Sequence, residues 1–160
     1  MISDKATLGE NTEIHPLALV EVNVVIGRET KIGPFCIIRK GATIGNGCKF
    51  TAYCEIRENV TIGDRTSFGS RCTISANGVV GSDVAVKYSF VLTDTPNLEE
   101  DDKKLVGSIG DGALIGANVT LMPGFSIGKN AIIGACSQVR SNVGDNEIWY
   151  GNPAKLFKKK

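Results

Sequence analysis

Side chains with chemical reach are few in this 160-residue chain, and unevenly placed. Its one histidine, His15, excludes any site that needs two or three imidazole ligands. It stands at a turn in Glu13-Ile14-His15-Pro16, and no histidine follows it. Of the five cysteines, Cys36, Cys54 and Cys72 recur eighteen residues apart, and no CxxC pair occurs. That row is open to a metal or redox reading, but without clustered histidine it reads better as small, buried apolar filler. The remaining candidates sit in residues 93–108, a polar stretch that opens on Thr93-Asp94-Thr95-Pro96-Asn97. A loop this long inside a compact protein is functional or disordered. Asp94 and Asn97, at its base, are the residues that an adjoining element can hold still. A carboxylate so placed can orient a donor or accept its proton, or simply cap a turn. The acidic run from Glu99 to Asp102 reads as a solvated tip.

What positions these residues is a six-residue period. Aliphatic or phenylalanine residues recur without a slip from Leu8 through Ile14, Val20, Ile26 and onward to Leu92, and again from Ile109 to Val139. The residue directly after is glycine at eleven of the nineteen glycine positions, among them Gly27, Gly63 and Gly116. The residue four after is small, as at Cys36, Cys54, Thr66 and Ser137. Helices space their apolar residues by three and four, and simple strands by two, so neither fits. A period of six is one short strand plus one turn, and three units make an eighteen-residue triangular coil. Coils stack at about 4.8 Å, the interstrand spacing, with the aliphatic residues inward in three ladders. Glycine is expected at the turn for backbone angles closed to other residues. The step from Leu92 to Ile109 is seventeen residues, so an insertion resets the register. The expectation is an all-β parallel β-helix, one domain over residues 1–160, with a loop at about 93–108 and an extension at about 145–160. Outward apolar residues such as Val25, Ile37, Val79 and Leu114 need cover.

Composition bounds the partners. The chain is 42% hydrophobic and 22% charged, enough for a core. Eighteen Lys and Arg against seventeen Asp and Glu leave +1, and no electrostatic case for nucleic acid or an anionic membrane surface. No apolar run approaches the roughly 18 residues of a membrane span, and Met1-Ile2-Ser3-Asp4-Lys5 lacks the order of a signal peptide. A cytoplasmic protein is expected.

Residues 115–128 read IGANVTLMPGFSIG, residues 133–139 IGACSQV and residues 149–155 WYGNPAK. This series closely resembles the C-terminal signature of the hexapeptide-repeat acetyltransferases, IGANVTILPGVTIG, IGAGSVV and GNPAKVI. The resemblance implies a left-handed β-helix, although parallel crossovers are ordinarily right-handed. It also implies acetyl-CoA as co-substrate, no metal, and a homotrimer with sites between subunits. By resemblance, Gly116, Ala117, Gly134, Ala135 and Ser137 line the groove for the pantetheine arm, where Cys136 replaces a more usual glycine. Asn152 and Pro153 lie near the adenine. Arg140 and Lys155 meet the phosphates as charge-assisted donors. The alternative for Gly151 to Lys155 is a turn that ends the β-helix and starts a short helix. Lys158-Lys159-Lys160 is a terminal cation cluster, where disorder is common.

The acceptor follows from a missing residue. Many O-acetyltransferases of this family use a histidine near the repeat's break to activate a hydroxyl, and none is present there. The acceptor is then an amine, or a carboxylate is the base, or the chain is a non-catalytic β-helical scaffold. Val91-Leu92-Thr93-Asp94 resembles the Phe-Thr-Asn-type loop opening of the small N-acetyltransferases that act on nucleotide-linked 3-amino sugars for surface polysaccharides, with Asp94 where asparagine is common. That implies transfer of an acetyl group to the amine of a dTDP- or UDP-linked 3-amino-3,6-dideoxyhexose or related sugar, with Asp94 as the catalytic group. Tyr53, Arg57, Ser75, Asn77, Tyr88 and Asn97 are the candidate contacts to the nucleotide sugar, since a diphosphate calls for a cation and a base for a stacking ring. The rival enzyme is an O-acetyltransferase of a sugar or xenobiotic hydroxyl.

Overall fold

A computed structural model describes residues 1–100 and 102–160; Asp101, part of the acidic run, lies outside the described residues. Each hexad folds as a two-residue strand and a turn, from Thr7–Leu8 to Gln138–Val139. The second residue of each strand is the one buried from Val20 onward, because successive side chains alternate between faces. Pairing is parallel with a step of eighteen: Ile26 lies opposite Ile44, Phe50 opposite Phe68 and Ile38 opposite Ile56. Three sheets of seven, nine and seven strands result, here called first, second and third in the order each coil meets them. The chain is a left-handed parallel β-helix.

The three ladders fill the interior, and the Phe50 and Phe68 rings stack at 5.0 Å and 12°. Each fully buried aliphatic contributes about 1.5–3 kcal/mol of transfer free energy. The period also includes Leu8 and Ile14, yet Leu8 is 41% exposed and Ile14 half-buried. They lie in the first coil, so a neighbouring coil covers them on one side only. Cys36, Cys48, Cys54 and Cys72 are free and buried. No group of three or more His, Cys, Asp or Glu able to hold a metal occurs among the described residues.

The recurring glycine has a different cause from the one its turn position suggests. Gly116 and Gly134 do not have positive φ; a Cβ on Gly116 would come 2.5 Å from Ala135 N, in the next coil. The glycine is required by coil-to-coil approach. The left-handed conformation falls two residues later in the hexad, most often on Asn, as at Asn59, Asn77 and Asn118, but also on Tyr53 (φ 57°), Cys136 (φ 60°) and a separate set of glycines, Gly41, Gly47, Gly112 and Gly124. Asn tolerates that region because its side chain bonds locally.

The insertion leaves the stacking intact. Val79 and Val80 pair with Ser108 and Ile109, twenty-nine residues on instead of eighteen, so the loop adds eleven residues to one corner. It leaves from the third sheet and returns to the first. At the other end the alternative of a short helix after Gly151 is overturned. Glu147–Gly151 and Ala154–Lys159 form an antiparallel hairpin that extends the second sheet through Ile132–Ile148. The lysine tail is ordered with it: Lys158 and Lys159 belong to the strand, and Lys160 Nζ donates to Asn130 O at 2.7 Å. Glu147 anchors the hairpin, accepting from Trp149 Nε1 at 2.9 Å and Gly144 N at 2.8 Å. The Trp149 hydrogen bond, then that from Gly144, hold the Glu147 carboxyl below its ordinary range.

Candidate functional site

The residue after each inward aliphatic differs systematically between corners. Where the first sheet turns into the second it is always glycine, Gly9 to Gly128; where the third turns back into the first it never is, running Glu21, Arg39, Arg57, Ser75, Thr93, Met122, Arg140. The corner from second to third sheet mixes the two: His15, Gly33, Thr51, Gly69, Lys87, Gly116, Gly134. Small residues there leave a trough beside the outer face of the second sheet.

In the upper coils that trough is a groove of about 380 Å³ lined by Ala85, Lys87, Leu114, Gly116, Ile132, Gly134 and Ala135 among others. Three of the five sequence candidates for the pantetheine groove therefore line one groove. Ala117 shares the turn of Gly116, and its carbonyl accepts Cys136 N–H at 2.8 Å. Ser137 is buried instead: its hydroxyl donates to Gly134 O at 2.7 Å and accepts from Gly151 N at 3.0 Å, tying the groove's corner to the hairpin tip. Among the backbone donors, Gly116 N and Gly134 N are committed to Ile133 O and Trp149 O. Ala117 N and Ala135 N have no partner among the described residues. Asn152 and Pro153 form the exposed hairpin tip, and Lys155 lies exposed opposite Tyr150. Arg140 follows Val139 at the far end of the third sheet, away from that tip. Lys87 is a groove residue that motif reasoning passes over; its signal in the sequence is a lysine at the position that Gly69 and Gly116 hold in the flanking coils.

The loop forms a second cluster. Asp94 is half-buried at its base, where Asp94 O accepts Leu105 N–H at 2.7 Å and Oδ1 accepts from Thr95 Oγ1 at 3.0 Å. Lys104 Nζ donates to Thr95 Oγ1 at 2.7 Å. Asn97 caps the tip, its Oδ1 accepting Glu99 N–H at 3.1 Å. Arg57, Ser75 and Asn77 share this corner: Arg57 pairs with Glu58 at 3.2 Å, Ser75 Oγ donates to Leu92 O at 2.7 Å, and Asn77 carries a left-handed turn. Tyr53 and Tyr88 lie at the other corner, Tyr88 next to groove-lining Lys87 and Tyr53 two coils below it. One chain thus holds its candidates in two groups, at opposite ends of the third sheet. Asp94 and Gly116 are not brought together within it.

Residues 2–99 match the family model described as the GMPPB C-terminal domain, and residues 107–141 the one described as bacterial transferase hexapeptide, six repeats. The chain belongs to the hexapeptide-repeat transferases. Over residues 2–99 this hexapeptide-repeat chain is a member of the GMPPB C-terminal domain family. It is 40% identical to the putative lipopolysaccharide biosynthesis O-acetyl transferase WbbJ of Escherichia coli, over 41% of this chain and 35% of that one. It is 46% identical to a probable macrolide acetyltransferase of Lysinibacillus sphaericus, over 41% and 37%. The alignments span a little over a third of the length of these curated relatives. Among solved structures it is similar to a variant of AntD, an N-acyltransferase from Bacillus cereus in complex with dTDP and coenzyme A. That likeness has a TM-score of 0.73 at 18% identity, covers 96% of this chain and 83% of AntD, and is one of fold. No helix among the described residues of this hexapeptide-repeat chain is long and apolar enough to cross a membrane.

Proposed function

We propose that this protein is an acetyl-CoA-dependent N-acetyltransferase acting on the amino group of a nucleotide-linked amino sugar. The observation that carries the reading is the groove. It is apolar along Leu114 and Ile132, has small walls at Gly116, Gly134 and Ala135, and offers an unpartnered amide at Ala135, with a second at Ala117 in the adjoining turn. A long, narrow, amide-rich arm such as pantetheine fits that chemistry. The names of AntD and of the acetyltransferase relatives support the donor, and dTDP in AntD supports the acceptor class.

The acceptor amine attacks the thioester carbonyl directly. The N–C bond forms, the C–S bond breaks, the nitrogen passes its proton to the Asp94 carboxylate or to a water held there, and the thiolate leaves. Asp94 suits the task, since its Oδ2 has no partner among the described residues. Ala117 N–H, not the committed Gly116 N–H, is the donor for the developing oxyanion. Because Asp94 and Ala117 stand at different corners of one chain, the site needs the loop of one subunit against the groove of the next. A homotrimer meets that requirement and covers Leu98, which is 87% exposed on the loop.

The test is thiol release from acetyl-CoA with dTDP- or UDP-linked amino sugars against hydroxyl acceptors. Asp94→Ala and Asp94→Asn should each lower turnover by about 10²-fold or more, with the fold and coenzyme binding kept. Unchanged turnover in both variants removes Asp94 from the mechanism. The names of the O-acetyl transferase and macrolide enzyme relatives favour a second reading, transfer to a hydroxyl, and release with hydroxyl acceptors alone would select it.

A further inference from the structure

The trough between second and third sheets continues below the apolar groove, and a wall divides it. At the column that reads Gly69, Lys87, Gly116, lysine interrupts glycine; at the next column, Ser70, Tyr88, Ala117, tyrosine interrupts small residues. Lys87 lines the groove above and a second cavity below, and Tyr88 closes onto Gly69, where a Cβ would meet its backbone nitrogen at 2.8 Å and its ring at 3.0 Å. The lower cavity has a volume of about 210 Å³ and is lined by Lys49, Thr51, Ser67, Phe68, Gly69, Val86, Lys87 and Tyr88, with no carboxylate.

Its chemistry differs from that of the groove above. Lys49, Lys87 and the adjoining Arg71 have no carboxylate partner among the described residues. The carboxylates on the opposite edge of this sheet are engaged elsewhere: Asp83 with Arg65 at 2.7 Å, and Asp64 with Asn46 N at 2.8 Å. Thr51 and Ser70 hydroxyls meet at 2.8 Å at the rim. Along the corner, Phe35 and Tyr53 stack at 4.8 Å and 13°, and the Arg71 guanidinium lies 5.7 Å from the Tyr53 ring centroid. Tyr88 is 60% exposed. Unpaired cations bordered by exposed rings are what a doubly charged diphosphate joined to a flat base requires.

We infer that this lower compartment, lined by Lys49, Lys87 and the Tyr88 ring, with Arg71 and the Tyr53 ring farther along the same corner, binds a nucleoside diphosphate, the nucleotide end of the acceptor. The inference rests on the proposed function and assigns the acceptor's nucleotide a place that Arg57, Ser75 and Asn77, at the other corner, do not share. The Lys87–Tyr88 wall then separates the donor's groove from the acceptor's nucleotide. A nucleoside diphosphate also occurs at the adenine end of the coenzyme, so the test must tell the two apart.

Isothermal titration of the full chain with dTDP, UDP, coenzyme A and adenosine 3′,5′-bisphosphate does so. Lys49 and Arg71 do not line the upper groove. Lys49→Ala and Arg71→Ala should each weaken dTDP or UDP binding about tenfold and leave coenzyme A binding within about twofold; circular dichroism confirms the fold. Tyr88→Ala should do the same through lost stacking. Nucleotide binding equal in wild type and all three variants overturns the inference and leaves the proposed function standing. Coenzyme A or bisphosphate affinity falling in step with dTDP overturns it too, because the compartment then holds the donor's adenine end. Loss of coenzyme A binding in the wild type, with dTDP binding sensitive to Lys49 and Arg71, sinks the proposed donor and upholds this site.

Discussion

Ser137 lies in the coenzyme signature, yet its hydroxyl is fully used inside the protein. It accepts Gly151 N–H at 3.0 Å and donates to Gly134 O at 2.7 Å. Ser137→Ala removes both partners without changing the backbone, and leaves an amide and a carbonyl unpaired. A fully buried orphan costs about 1–3 kcal/mol. Here Gly134 and Gly151 are half-buried, so water reaches them in part and about 1–2 kcal/mol in total is expected. The loss falls on the contact between groove corner and hairpin tip, so local opening there becomes about 5–30-fold more frequent. Amide hydrogen exchange at Gly151 and along Glu147–Gly151 reads that directly, with Ile62 in the central coils as an unaffected reference. Coenzyme A titration of the same variant separates the two roles. If Ser137 acts by pinning the hairpin, exchange accelerates and affinity falls only as far as the tip contributes. Unchanged exchange at Gly151 with a large loss of affinity would refute the structural role and make Ser137 a direct ligand contact.

Phe68→Ala should destabilise the protein by about 3–5 kcal/mol in urea unfolding, because Phe68 is 1% exposed and its ring stacks on Phe50; Val79→Thr, on an outward position, should leave the midpoint nearly unmoved. Glu147 gives a pH dependence of known sign. Its folded pKa is depressed, so its contribution is complete above the unfolded carboxylate value and is lost as pH falls through the folded one. Trp149 is the single tryptophan and donates to Glu147, so its fluorescence should shift in that acid window and Glu147→Gln should abolish the shift. One of the five thiols should react in the native protein, because Cys136 is exposed while Cys36, Cys48, Cys54 and Cys72 are buried and burial pushes the Cys48 thiol up. Coenzyme A should slow that reaction, since Cys136 adjoins groove-lining Ala135; rapid modification of several thiols would contradict the packed cysteine ladder.

A period of six with alternating in-and-out strands decides most of this architecture before folding is considered. Ile26, Ile44 and Ile62 stack because residues eighteen apart must meet in a three-sided coil, and Cys36, Cys54 and Cys72 are buried for the same reason. The groove was legible in part, because the small residues at Gly116, Gly134 and Ala135 mark the turns of successive coils. What the linear pattern does not carry is which corner the residues after Leu92 occupy, since that depends on counting coils through an insertion of unknown course. Tertiary structure alone placed Asp94 and Gly116 at opposite ends of the third sheet. It turned Ser137 inward, made a hairpin where a helix was an open alternative, and assigned the glycine that follows each inward aliphatic to coil contact instead of a left-handed turn. Each of these depends on contacts between residues that come near one another only when coils stack, and a repeat read along one dimension does not contain them.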